Sequence, residues 1–592
     1  MPARMRLVSK SHGLFEAKTE YKSPFLVQVL LFFCASLLLT LSFSTWAQIP
    51  VNPALEIQRQ QLREQELRRE FEPSPDVRLL RQTVPDTLTS FPQESPCFAI
   101  DQILLTGDLN QQFQFALDIV LQGDKSALGH CLGVQGINLV LTRVQNAIIE
   151  QGYITTRVLT SPQNLQSGTL NLTVVPGRIQ HIHFDANSSS RGRYWNALPA
   201  TSGDILNLRD IEQGLENLKR VPTAEADIRI EPSTGQDSRP GDSDIVIAYQ
   251  QTTPFRITLS ADDSGSPSTG KYQGSLTLSG DNLLTLNDLF YYSINHDIGG
   301  HNDSNNGTKG YTLHYSMPFA YWLASVTHSN SDYQQAVAGA TQTFTYSGES
   351  SRSELKLARL IYRDATRKTT AALRTYLSTS NNYIDDTEIE VQRRRMTGWQ
   401  GTLSHKEFIG AAILDLDLAY RRGTGLFNAI SAPEEQFNEG TARPKIITAY
   451  LNIHYPFKIG QQVLRFHSNW RGQWNKSALI AQDRFAIGGR YTVRGFDGQL
   501  TLSGERGWLW RNDLGLKLGK SGQELYLAFD YGHVSGRSAQ FLLGTHLAGG
   551  VIGIRGGYES VYWDVFTGGS IHKPKGFNPS TGTSGFNLTW TY

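Results

Sequence analysis

Arg494, Asp513 and Asp530 are the residues of this 592-residue chain whose types and spacing carry the most chemistry. They fall in three successive segments, FAIGGRYTVRGF (485–496), SGERGWLWRNDL (503–514) and AFDYG (528–532). The first reads as a glycine-rich loop, the other two as amphipathic strands that each offer a carboxylate. An arginine fork takes a carboxylate through two parallel hydrogen bonds, which fixes orientation as well as adding energy. The chemistry is therefore electrostatic positioning rather than bond-making. Alternation puts Arg511 and Asp513 on the face opposite Trp508 and Trp510, and Asp530 opposite Phe529 and Tyr531. Gly488, Gly489 and Gly495 permit a tight loop backbone, and Gly495 and Phe496 complete the segment that carries Arg494.

Catalytic readings are weaker. GLKLGKS (515–521) is one residue short of a phosphate-binding loop and sits in a strand-to-turn context. His181 and His183 alternate on a predicted strand as a possible metal pair, but no third ligand is evident and ordinary surface histidines fit better. Neither GxSxG nor HExxH occurs. No enzyme activity, metal or cofactor is expected, and a formal charge of +1 gives no global basic field for nucleic acid.

The elements that must position these charges follow from composition and period. The chain is too long for one ordinary core, so several domains are expected. Aromatics make up 10%, charged residues only 18%, and there are 54 glycines, which suits a β protein better than a soluble helical one. From 253 to 592 apolar and polar residues alternate, as in Leu414, Leu416, Leu418 and Tyr420 against Asp415, Asp417 and Ala419. Beyond the N-terminal region no apolar run reaches the roughly 20 residues of a membrane helix, so a membrane position requires a barrel. About 340 residues fit sixteen strands at roughly 20 residues per strand and connection. A soluble sandwich would also alternate, but leaves the export signal and the long Gly/Asn/Ser loops unexplained. The closing GFNLTWTY sets Phe586, Leu588, Trp590 and Tyr592 on one face.

Upstream, residues 1–47 read as a signal peptide: basic Arg4, Arg6, Lys10, Lys18 and Lys22, an apolar run 29–41, and cleavage after Ala47. The alternative is an uncleaved anchor over 25–43. Bulky Phe33 argues against a lipoprotein site at Cys34. Removal of the signal leaves Cys97 and Cys131, an even count in an exported protein that favours a disulfide worth about 3 kcal/mol. Residues 48–72 form a polar helix without a broad apolar face, suited to water or a polar channel. Residues 73–96 hold five prolines and read as an extended tether. Two α/β units, 97–177 and 178–252, read as a β-α-α-β-β repeat, an internal duplication. The first is expected to hold strand 98–106, helices 113–121 and 137–151 and strands 156–159 and 169–175; the second, strand 179–184, helix 208–219 and strands 226–230 and 244–249. Their sheet edges can accept an unfolded segment by strand addition; a rigid spacer is the alternative.

Together these segments resemble the transporters of two-partner secretion, the haemolysin activation/secretion proteins and filamentous-haemagglutinin-type transporters of the outer-membrane assembly-factor superfamily. IEQGLENLKRVPTAEADIRI (211–230) and PGDSDIVIAY (240–249) look like the family's second polypeptide-transport-associated (POTRA) domain. ADDSGSPSTGKYQGSLTLSGDN (261–282) resembles its first barrel hairpin, and LAGGVIGIRGG (547–557) its late strands. Two departures are Ala528, where Phe or Gly is usual, and Asp513, where Glu is common. The resemblance implies a sixteen-strand outer-membrane barrel, two POTRA domains in the periplasm, a resting helix in the lumen, and a loop folded inward so that Arg494 bonds Asp530. It makes Phe586, Leu588, Trp590 and Tyr592 a barrel-insertion signal, with Tyr592 replacing the commoner Phe. The implied partners are one large secreted β-helical protein with an N-terminal secretion domain (an adhesin, haemolysin or contact-dependent toxin), the barrel-assembly machinery, and outer-membrane lipid. A barrel-assembly factor and a passive porin are the alternative functions.

Overall fold

Sixteen antiparallel strands, from Phe255–Asp262 to Thr583–Thr591, close into a barrel, with a two-residue return strand Thr387–Glu388 at one loop. This computed structural model describes residues 53–72, 75–79, 85, 88, 90–234, 238–300, 306–579 and 582–592. The expected signal peptide with Ala47 and Cys34, and much of the 73–96 tether, lie outside the described residues. No described helix is long and apolar enough to cross a membrane.

Closure follows from alternation. Leu416, Leu418, Leu527, Phe529, Leu588 and Trp590 are exposed on the outer wall, whereas Asp513 and Asp530 are buried on the inner one. A closed barrel leaves no unpaired edge, which is what a sheet in lipid requires. The seam joins Thr583–Thr591 to Phe255–Asp262 through Asn587↔Asp262 to Thr591↔Thr258. Tyr592 extends it by exchanging backbone hydrogen bonds with Ile257 at 2.9 and 3.0 Å.

The two α/β units share one sheet plan. In the first, Gln102–Gly107 runs parallel to Thr169–Val175, which pairs antiparallel with Arg157–Leu159. In the second, Ile179–Phe184 runs parallel to Ser243–Gln251, which pairs antiparallel with Ala224–Pro232. Helix Val134–Glu150 covers the first sheet through Val140, Val144 and Ile148. Helix Leu208–Leu218 covers the second through Leu208, Ile211, Leu215 and Leu218, at the three-to-four spacing of one helix face. Each fully buried leucine or isoleucine contributes about 1.5–3 kcal/mol. Asn207 caps this helix by accepting from Arg209 N at 2.8 Å.

Three expectations are corrected. The strand expected over 98–106 is divided, because Phe98–Ala99 pairs with Cys131–Leu132 and only Gln102–Gly107 joins the main sheet. The expected first-unit helix at 113–121 is a 3₁₀ stretch Asn110–Leu117 followed by one turn, Asp118–Leu121. Between Phe184 and Leu208 the second unit has turns and loops that bond to the barrel: Asn196 Nδ2 donates to Leu286 O at 2.6 Å and Pro318 O at 3.2 Å. Asn217 Nδ2 adds a bond to Ala320 O at 2.8 Å, so this unit is seated against the barrel's near end. Cys97 and Cys131 are disulfide-bonded beside the Ala99↔Cys131 pair, fixing the point where the tether enters the first unit.

Candidate functional site: the barrel lumen

The connection between the strands Gln462–Asn475 and Arg506–Lys517 does not project from the barrel; it folds into it. Phe485–Ile487 and Leu502–Gly504 pair as a small ladder, and Phe485, Ile487, Val493, Phe496 and Leu502 pack against Leu509, Val534, Leu547 and Phe577. This apolar cluster gives the loop a core of its own. Beside it Arg494 Nε and Nη2 donate to Asp530 Oδ2 and Oδ1, both at 2.7 Å, and Arg494 N donates to Asp530 Oδ2 at 2.9 Å. Nη2 also reaches Asp513 Oδ1 at 2.6 Å. The two carboxylates come from neighbouring strands, in which Arg511 stands opposite Asp530 and Asp513 opposite Ala528. Arg511 lies 3.6 Å from Asp530 Oδ2, an ion pair at the margin of the group rather than a bidentate partner.

Residues not anticipated from the sequence complete the network. Arg555 donates to Asp513 Oδ2 at 3.2 Å and to Glu524 Oε1 at 2.6 and 2.9 Å, and Arg465 joins Glu524 at 2.7 Å. Arg490 pairs with Asp263 on the first hairpin and donates to Phe586 O at 2.8 Å, joining loop to seam. Gly495 has φ +94°, and a Cβ there would lie 2.4 Å from Gly569 O. A Cβ on Gly549 would lie 1.8 Å from Arg494 O, so the wall must be bare where the loop touches it. Gly488 also has positive φ (+112°), whereas Gly489 does not. Gly489 instead faces Gly498, whose Cα would lie 3.3 Å from an added Cβ.

The helix Pro53–Phe71 lies in the remaining lumen, and its partners are polar. Gln58 Nε2 donates to Arg484 O at 2.9 Å and Arg59 Nη2 to Gly498 O at 3.3 Å, both on the inward loop. Arg68 Nη2 bonds Glu354 Oε2 at 2.7 Å and also pairs with Glu64, which accepts from Ser329 Oγ at 3.2 Å. Near the helix end Phe71 packs on Tyr291 with ring centroids 5.5 Å apart. Between helix and wall remains a cavity of about 410 Å³ lined by Glu66, Glu70, Arg352, Arg421, Tyr450 and Arg511.

Part of the tether is docked on the second α/β unit. Val77 and Leu79 are buried in the core of the second α/β unit. Val77 N donates to Glu216 Oε1 at 2.8 Å and Leu79 N to Glu212 Oε1 at 2.9 Å. Arg363, on a barrel strand, bonds Glu212 at 3.1 Å, Glu216 at 3.0 Å and Val77 O at 2.6 Å. Asp76 sits between Lys368 at 2.8 Å and Lys406 at 3.0 Å. Although burial opposes its charge, these two ammonium groups hold its carboxyl below the ordinary aspartate range. The available sequence signal was Glu212 and Glu216 at i,i+4 on the helix Leu208–Leu218, one turn apart. Further on, Glu94 accepts from the N–H groups of Gly133, Gln135 and Gly136 at the start of helix Val134–Glu150. Those three bonds outweigh partial desolvation and keep its carboxyl below the usual range.

Elsewhere, Leu588, Trp590 and Tyr592 are exposed on the outer wall and Phe586 is partly covered there. His181 is exposed and bonded to Asp244. No group of metal-ligating residues occurs among the described residues. The segment 515–521 is the end of a strand and the turn after it.

A closed sixteen-strand barrel with an inward-locked loop and tandem α/β units at one end defines a β-barrel transporter of the outer membrane, its α/β units in the periplasm. POTRA domains of the ShlB type match 98–177 and a POTRA domain matches 178–232. The family described as haemolysin secretion/activation protein ShlB/FhaC/HecB matches 241–556, and the chain belongs to it. Outer membrane transporter CdiB-2 of Burkholderia pseudomallei (strain 1026b) is 35% identical over 524 residues, covering 85% of this chain and 88% of that one. Hemolysin transporter protein ShlB of Serratia marcescens is 24% identical over 437 residues, covering 72% and 73%. The solved structure of CdiB from Acinetobacter baumannii aligns with a TM-score of 0.79 at 30% identity, covering 92% of this chain and all of that one.

Proposed function

We propose that this two-partner secretion transporter exports one dedicated large partner in an unfolded state. The partner is β-helical, carries an N-terminal secretion domain, and is an adhesin, haemolysin or contact-dependent toxin. Its leading segment adds to a POTRA sheet edge, where backbone hydrogen bonds give affinity without sequence demands. The lumen helix is then withdrawn, and the barrel conducts the chain outward. Arg494, held by Asp530 and Asp513, is the lock that keeps the inward loop seated, while Phe586, Leu588, Trp590 and Tyr592 guide insertion by the barrel-assembly machinery. Folding of the partner outside biases the direction of movement, and no bond is made or broken by the transporter itself.

The observation that carries this reading is that the lumen holds two fillers secured by different means, a loop with a buried charge lock and an apolar core, and a helix with mainly polar contacts. A passive porin has no use for the second filler or for strand-adding domains. The test is quantitative proteomics of medium, surface and outer membrane after deletion of the gene. Loss of one large exported protein with other barrels unchanged is expected; a broad fall in outer-membrane barrels would replace this reading with an assembly factor.

A further inference from the structure

The outer wall of the second half of the barrel ends in a row of arginine, lysine and histidine side chains at its extracellular rim. Along several of these strands the lipid-facing residues run from apolar or aromatic to basic. Leu416, Leu418 and Tyr420 lead to Arg422, and Trp510 and Trp508 lead to Arg506. Arg422 stands directly opposite Lys445 on the next strand. His533 stands opposite both Trp508 and His546, and the His533–His546 ring centroids are 5.0 Å apart. His572 continues the row, 6.4 Å from His546.

Among the described residues, no carboxylate on that face of these strands neutralises the row. The strand carboxylates here, Asp415, Asp417, Asp513, Glu524, Asp530 and Asp564, occupy the alternate, lumen-facing positions. Arg506 Nε donates to the neutral Asn475 at 2.7 Å, and among the described residues neither Arg422 nor Lys445 has a carboxylate partner. The first half of the barrel is built differently. There Lys309 faces Asp332 across a strand pair at 3.8 Å, and Asp332 in turn faces Glu349. Like charges directly opposite across a ladder are unfavourable. Arg422 against Lys445 therefore calls for an anion outside the protein, at the level just above the aromatic belt where headgroups lie.

We propose that this half-belt binds the phosphate groups of lipid A, the glycolipid of the outer leaflet. Arginine supplies the bidentate fork that phosphate oxygens fit, lysine a point charge, and the imidazoles N–H donors. The neighbouring Trp474, Trp508 and Tyr531 offer apolar and hydrogen-bonding surface at the same level. Because the belt spans the strands that carry Asp513 and Asp530, lipid A clamps the half of the wall on which the loop is seated.

The test uses the full chain reconstituted in phosphatidylcholine vesicles with diphosphoryl lipid A, with dephosphorylated lipid A, or with inorganic phosphate at matched phosphate. Diphosphoryl lipid A alone should raise the barrel's thermal unfolding midpoint. It should bind an Arg422→Gln/Lys445→Gln/Arg506→Gln variant at least about tenfold more weakly, given the strength of juxtamembrane cations. Lys309→Gln, on the opposite half, should keep the wild-type response. If the triple variant does not insert, Arg506→Gln alone should show an intermediate loss. An equal midpoint shift with dephosphorylated lipid A or with free phosphate, or an unchanged response in the cation variants, overturns the assignment.

Discussion

The two bodies that share the lumen are held by opposite strategies. The loop has a core of its own, five apolar residues packed on the wall and on Phe577, and its Arg494 is held by two buried carboxylates. The helix buries little apolar surface and is tied by long side chains to carbonyls, hydroxyls and a few carboxylates. Breaking one partner of a buried ion pair costs several kcal/mol, whereas a single polar contact contributes about 1. The difference supports the proposal that the loop is the fixture and the helix the removable filler.

The largest expected effect comes from attacking the fixture. Arg494→Ala strands Asp530 and Asp513 without their shared cation, at a local cost of about 3–5 kcal/mol. Secretion should fall at least about tenfold, while the barrel still inserts and migrates as a folded species in unheated gels. Arg494→Lys should not rescue it, because an ammonium cannot make the fork; wild-type secretion by either variant would sink the lock. Gly549→Val should come next, since its side chain would occupy the position of the Arg494 carbonyl. Overpacking of about 1–3 kcal/mol should displace the loop, read as new protease sensitivity within 485–504.

The removable filler should respond more gently. Glu212→Gln with Glu216→Gln leaves acceptors for Val77 and Leu79 but deprives Arg363 of both its counter-charges and leaves Lys368, which also pairs with Glu216 at 2.5 Å, with Asp76 alone. Helix excursions should become more frequent, seen as more open events in planar-bilayer conductance; unchanged conductance would mean that the dock does not hold the helix. Arg68→Ala should act the same way but by about 1 kcal/mol or less, because Glu354 retains Arg352 at 2.6 Å. Smallest of all is pH. The Asp76 carboxyl is depressed in the folded protein, so its contribution to the dock is full above about pH 4 and is lost as pH falls through the lowered value. Tether release should therefore be flat from pH 8 to 5.

Much of this was legible because strand period and barrel geometry are local. Which of Trp510, Arg511, Phe529 and Asp530 faces inward follows from alternation alone, and the helical fit of Leu208, Ile211, Leu215 and Leu218 follows from their spacing. Arg555, Glu524 and Gly549 were not legible, because their roles depend on which strands become neighbours and where the loop turns back. Composition points to an extended tether but is silent on its dock: prolines disfavour helix and ladder, yet leave Val77 and Leu79 free to pack in the second unit. In the second α/β unit the missing helix is replaced by a loop whose Asn196 serves the barrel turns, a long-range demand with no local period.

The dock at Val77 sets the leash on which the helix moves. From Phe71 to Val77 an extended chain spans about 20 Å, less than the roughly 28 Å length of the 19-residue helix itself. While the dock holds, the helix can slide in its pore but cannot clear it. Once Val77 and Leu79 let go, the next anchor is Leu88, whose carbonyl accepts from Arg143 at 3.0 Å, and the reach from Phe71 grows to about 58 Å, roughly twice the length of the helix.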